Sequence, residues 1–133
     1  MQSIATFENT KHEPAKLGEG TEVPPRSQIK AQRLYTGELV GESAGDLLVC
    51  QTTETDFGYV GMDLFKGALD GRKGSFIYQH GELHAGGKVK PFGFIVTDSG
   101  TGALKGIEGD VSISVSPEWV HTITLNWEIA KLS

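Results

Sequence analysis

The sequence predicts an all-β protein, and three observations lead there. Apolar residues alternate with polar ones at a period of two instead of recurring at three and four. Glycine is abundant, at 18 of 133 residues and with no collagen period, which implies many turns between short elements. No stretch of the chain has the pattern of a good helix. Short runs at regular spacing with glycine turns predict one domain over residues 1–133, an eight-stranded antiparallel up-and-down β-barrel. An immunoglobulin-like sandwich is the alternative.

Ile4–Thr10 is the first strand and Ile29–Leu39 the second. Between them, His12–Arg26 holds Pro14, Gly18, Gly20, Pro24 and Pro25, which exclude a regular helix and an interior strand, so a Pro/Gly-rich loop is expected at about 12–26. Leu47–Thr53 is the third strand. Phe57–Leu69 is the fourth and is apolar on both faces, with Phe57, Tyr59 and Phe65 on one and Val60, Met62 and Leu64 on the other. Such a strand is either covered on both sides or part of a subunit interface.

Gly74–His80 and Pro91–Asp98 are rich in aromatic and β-branched residues and are separated by Gly81, Gly86 and Gly87, again strand, turn and strand. Val111, Ile113 and Val115 alternate with Ser112, Ser114 and Ser116, and His121, Ile123, Leu125, Trp127 and Ile129 alternate with Thr122, Thr124, Asn126 and Glu128. Pro117-Glu118 lies between them, so the last two strands should pair antiparallel. Gly67–Gly71 and Gly102–Gly106 both read Gly, Ala, Leu, a charged residue, Gly, and are taken as two equivalent barrel corners. Trp119 and Trp127 read as core or barrel-end plugs.

The charge balance is acidic, with 12 Lys plus Arg against 17 Asp plus Glu and a net charge of -5, which argues against a nucleic-acid partner. Arg72-Lys73 and the pair Lys88 and Lys90 sit beside glycines and read as solvated turns. Met1–Gly20 carries Glu8, Lys11, Glu13 and Lys16 and lacks the apolar core of a secretory signal. Leu47–Cys50 is the longest clean apolar run, far short of a membrane span. Cys50 is the single cysteine, so packing must hold the fold without an intrachain disulfide, and a reducing, cytoplasmic setting is expected.

Several motifs carry less than they promise. Asp56-Phe57-Gly58 spells a kinase triplet in a chain too short for a kinase. Gly100, Gly102 and Gly106 precede a strand pattern, whereas a phosphate-cradling loop needs a helix there. His80, Glu82 and His84 share one strand face, as a metal site would need, but glycines beside them suggest a polar strand end. No cofactor or metal is expected. Asp63 is the sharpest anomaly: a carboxylate amid apolar neighbours must be paired, hydrogen-bonded or shifted in pKa unless its face is solvated.

The segments Tyr59–Asp63, Gly71-Arg72-Lys73-Gly74-Ser75-Phe76-Ile77-Tyr78-Gln79-His80 and Ser99–Gly106, with Tyr35–Ser43 upstream, resemble an uncharacterised bacterial domain family of unknown function. The resemblance implies an allene oxide cyclase-like β-barrel, a relative of the calycin barrels, and it implies no reaction. The family pattern usually has Glu at the position of Asp63 and commonly Arg at that of Leu64. If that pair forms an internal salt bridge in relatives, it is absent or rewired here.

These readings converge on a small-molecule-binding barrel, with a small apolar or amphipathic ligand and a lining drawn from Tyr59, Asp63, Gln79, His80 and His121. Gln79 and His80 are adjacent and must point to opposite faces, so at least one of the five is misplaced. The alternatives are an isomerase or cyclase in which Asp63 or a histidine moves a proton, and a side-chain-filled barrel that acts as a homo-oligomeric interaction protein.

Overall fold

A computed structural model describes residues 1–17 and 24–130. Its strands are β1 (Gln2–Leu17), β2 (Arg26–Gly37), β3 (Leu39–Gln51), β4 (Phe57–Leu69), β5 (Arg72–Ala85), β6 (Lys88–Ile95), the two-residue β7 (Thr101–Gly102), β8 (Ile107–Val115) and β9 (His121–Ile129). Each long strand pairs antiparallel with its predecessor, β8 takes up from β6, and β9 pairs with β1. The result is a closed ring of eight antiparallel strands, the predicted up-and-down barrel. β7 lies outside this count, tied only to β5 at Gly74 and Ser75.

Closure buries one face of most strands over much of their length, which is why the period of two dominates the sequence. The predicted terminal hairpin forms in the register that alternation requires, from Val111 opposite Leu125 to Val115 opposite His121. Leu39, Phe65, Leu69, Phe76, Leu104, Ile107, Ile123 and Leu125 are completely buried, and all belong to one continuous core. Leu69 and Leu104 come from the two Gly-Ala-Leu corners, so both corners plug the same packed end. Trp127 closes that end as well, its indole N–H donating to Ser3 Oγ at 2.9 Å. Trp119 departs from the expected plug: it is 80% exposed in the β8–β9 turn with φ of 65°.

The loop expected at 12–26 is replaced by strand at 12–17 and at Arg26, and residues 18–23 lie outside the described residues. His12 to Leu17 continue β1 in register with β2, with Pro14 opposite Ile29. Pro14 is tolerated because β1 pairs with β9 only as far as Phe7, leaving this stretch bonded on one side alone. Gly18 and Gly20 lie outside the described residues. β3 also begins earlier than expected, through Val40–Asp46, and β5 runs on past Gly81 to Ala85.

The ring closes unevenly. β1 and β9 match over six residues, whereas β6 and β8 share a single matched pair, Phe94 and Asp110. The packed end therefore lies at Leu39, Leu69 and Trp127, and the opposite, looser end at Phe57, His84 and His121 holds the polar side chains. No helix among the described residues is long and apolar enough to cross a membrane.

Candidate functional site

Inward positions of β4 run Leu69, Phe65, Asp63 and Tyr59, and those of β5 run Phe76, Tyr78, His80 and Glu82. Moving along these strands, the lumen changes from hydrocarbon to polar groups near its middle. Asp63 is completely buried there. Its Oδ1 accepts from Arg33 Nη1 on β2 and from Ser43 Oγ on β3 at 3.3 Å, and its Oδ2 is bonded to His80 Nε2 at 2.7 Å. The other imidazole nitrogen, Nδ1, lies 3.3 Å from the Tyr59 hydroxyl. Below Asp63, Tyr35 and Tyr78 join hydroxyls at 2.6 Å, and Tyr35 reaches Ser43 at 2.7 Å.

Every buried side-chain nitrogen and oxygen among the described residues has a partner, which is what makes an ion pair tolerable at this depth. Burial alone would raise the Asp63 pKa, but the bond from His80 and the charge of Arg33 outweigh it and hold the carboxyl below its ordinary value. Burial likewise opposes the Arg33 charge and loses to the surrounding oxygens of Tyr78 and Asp63, so that pKa is raised. Burial and the nearby Glu82 carboxylate push Tyr59 up to about 12, which leaves it a protonated donor at neutral pH.

Two glycines make the room. Gly45 faces Asp63 across the β3–β4 ladder, and a Cβ there would lie 2.6 Å from both Asp63 Cγ and the Met62 carbonyl oxygen. Gly61 faces His80 across β4–β5, and a Cβ would lie 3.0 Å from His80 Nε2. Gly45→Ala should therefore cost about 1 to 3 kcal/mol in a urea melt, because the Met62 carbonyl is backbone and cannot rotate away. A midpoint equal to wild type would mean that β3 can shift without disturbing Asp63.

Of the five residues expected to line the interior, Tyr59, Asp63 and His80 come together. His121 faces the same lumen from β9 but belongs to another group, its ring centroid 5.1 Å from that of Phe7. Burial, then the Arg33 charge, lowers its pKa. Gln79 does not line the interior: it points outward, between Met62 and Phe94 in register, because its neighbour His80 points in. The internal salt bridge considered for positions 63 and 64 does not form, and Asp63 pairs instead with Arg33 of β2. Leu64 faces outward and is 37% exposed, so no side chain at that position reaches the Asp63 carboxylate.

Arg33, Tyr35, Ser43 and Tyr78 were not singled out from the sequence. Ala31, Arg33 and Tyr35 occupy alternate positions of β2, so a cation within a buried stripe was the available signal. His80, Glu82 and His84 do share the inner face. His84 Nε2 is bonded to Glu82 Oε2 at 2.7 Å and its ring stacks on Phe57 at 4.1 Å. No grouping of three or more His, Cys, Asp or Glu among the described residues could hold a metal ion.

Tyr59, His80 and Glu82 border a cleft of about 240 Å³ whose other wall is Pro91 and Gly93 of β6 with Val111 and Ile113 of β8. It lies along the weakly paired β6–β8 seam, so the polar half of the lumen is reached from the side of the barrel.

A family model described as "Protein of unknown function (DUF3224)" matches residues 3–127. A crystal structure of a protein of unknown function from the same family, from Shewanella oneidensis MR-1, is similar with a TM-score of 0.91 at 25% identity, covering 99% of this chain and 98% of that one. No curated protein matches the chain.

Proposed function

For a chain that belongs to the DUF3224 family of proteins of unknown function, we propose that the barrel binds a small molecule in the polar half of its lumen. The division of the interior carries this reading. One half is filled by Phe65, Phe76, Leu69 and Leu104, and the other keeps a cleft bordered by Tyr59, His80 and Glu82. Ligand pockets are mostly apolar with a few placed polar groups, and Val111, Ile113 and Pro91 supply the apolar wall. At about 240 Å³ the cleft suits a compact amphipathic molecule. The Tyr59 hydroxyl oxygen accepts a hydrogen bond from it while the hydroxyl proton goes to His80 Nδ1, so His80 sets the orientation of Tyr59, and Asp63 acts as a positioning residue for His80.

The Asp63–His80 geometry favours acid–base chemistry as a second reading. An imidazole that donates Nε2–H to a carboxylate presents Nδ1 as a base, and Nδ1 faces Tyr59 at the cleft. Such a pair can move a proton within a bound substrate, as an isomerase requires. Kinship with allene oxide cyclase-like barrels is part of the same proposal, supported by the sequential order of the ring. A cytoplasmic location is in keeping with the single, unpaired Cys50.

Native mass spectrometry of freshly purified protein is the test. The expected result is mass beyond 14.3 kDa per subunit that is released on denaturation, and its loss in Ile113→Trp, which fills the cleft. Wild-type protein that carries no extra mass, and whose melting temperature a metabolite extract does not move, would count against any bound molecule.

A further inference from the structure

The outward side chains of the same strands form a second surface with a different composition. Leu48, Val60, Met62, Leu83, Phe92 and Phe94 are each between 44% and 51% exposed. The register sets Leu48, Val60, Gly81 and Phe92 in one row across β3 to β6, and Met62, Gln79 and Phe94 in the next. Gly81 leaves its place in the row to the Phe92 ring, since a Cβ there would meet Cζ at 2.5 Å. The ring therefore lies down on the sheet, 6.2 Å from that of Phe94. Shallow grooves beside it run between Val60, Met62 and Leu48 on one side and Val60 and Leu83 on the other.

With Leu64 added, seven large apolar residues, each of about 150 to 250 Å² when fully exposed, present on the order of 700 Å². The largest apolar patch on a typical monomer is about 300 to 600 Å², whereas a stable pairwise interface buries about 800 Å² per partner. This face has the size of an interface. Its rim carries exposed Arg26, Lys30, Lys66, Lys88 and Lys90 against exposed Glu42, Asp46 and Asp110, with Lys30 opposite Asp46 and Lys66 opposite Glu42 in register. The chain as a whole carries a net charge of -5, which disfavours an anionic membrane or an acidic partner. A second copy of the same mixed rim can set lysines of one chain against carboxylates of the other.

We propose that the outer face of β3 to β6 is a homodimer interface, with a second copy of this chain laid sheet on sheet over Val60, Met62 and Phe92 about a twofold axis. Phe92 and Phe94 are its anchors, each entering a groove of the partner. The proposal is independent of the ligand reading, because these residues point away from the lumen.

Sedimentation equilibrium of the full chain tests it. At about 100 μM the wild type should have twice the 14.3 kDa chain mass. Met62→Asp and Phe92→Asp should sediment as folded monomers, with dissociation constants raised at least roughly 30-fold. Val60→Thr, which keeps the β-branched shape and does not threaten the strand, should weaken the dimer measurably. Ile4→Lys, on the far wall of the barrel, should leave it intact. A wild-type monomer at that concentration, including one that instead sediments with lipid vesicles, overturns the proposal, as does a dimer that both aspartates leave unchanged.

Discussion

Asp63→Asn should destabilise the barrel by about 3 to 5 kcal/mol, the usual cost of stripping one partner from a buried ion pair. Asparagine preserves the shape and an acceptor, but it leaves Arg33, only 6% exposed, without a counter-charge. For a chain of this length that corresponds to a fall of roughly 10 to 20 °C in melting temperature by calorimetry. Replacing Arg33 by Met in the same chain should recover part of the loss, since the double mutant no longer buries a lone cation. The effect has a pH signature. The Asp63 carboxyl is held below its ordinary value of 3.8 in the folded protein. Its contribution is therefore present above that value and lost as pH falls through the lower, folded one. Wild-type stability should drop steeply in acid below about pH 4, and Asp63→Asn should flatten that window. A melting temperature within about 3 °C of wild type would mean that Arg33 finds water when its partner is gone.

Phe65→Ala should cost a similar about 3 to 5 kcal/mol for a different reason. Phe65 is completely buried, edge-on to Tyr35 with centroids 5.3 Å apart and 5.2 Å from Phe76. Neighbouring strands are held in a closed ring and cannot collapse inward, so most of the vacated volume should persist as a cavity. Because the lost group is apolar, the deficit should stay nearly constant as pH falls from about 7 to about 3, whereas that of Asp63→Asn should shrink below about pH 4. Urea melts at two pH values separate the two. A loss below about 1.5 kcal/mol would show that the packed half relaxes far more than a closed sheet allows.

What could be read from the sequence depended on which property alternates. From Val111 to Ile129 it is hydrophobicity, and both strands and their register follow directly. In Val40–Asp46 it is size: the inward residues are Gly41, Ser43 and Gly45, which carry no hydrophobic signal because Asp63 occupies the space at Ser43 and Gly45 and the Lys66–Gly67 backbone that at Gly41. That part of β3 is therefore invisible to a hydrophobic pattern. Pro14 misled in another way, since its strand is bonded on one side only, a fact set by where β9 stops. Asp63 stood out as a carboxylate in an apolar run, and the demand for a partner was correct. The partner itself lies two strands away on β2, and naming it needs the ring's register, which local patterns do not contain. Gln79 was resolved by alternation alone once His80 was known to face inward.

The uneven closure has a consequence for how the molecule breathes. Six matched residues join β1 to β9, so separating these strands breaks a whole ladder of backbone hydrogen bonds together with the side-chain packing beneath it. β6 and β8 share one matched pair. Local openings of lowest free energy should therefore part this seam first, with the rest of the ring acting as a fixed hoop. A molecule could enter beside Tyr59 through such a fluctuation while the packed end stays dry, and the amides of β6 would exchange with solvent long before those of β9.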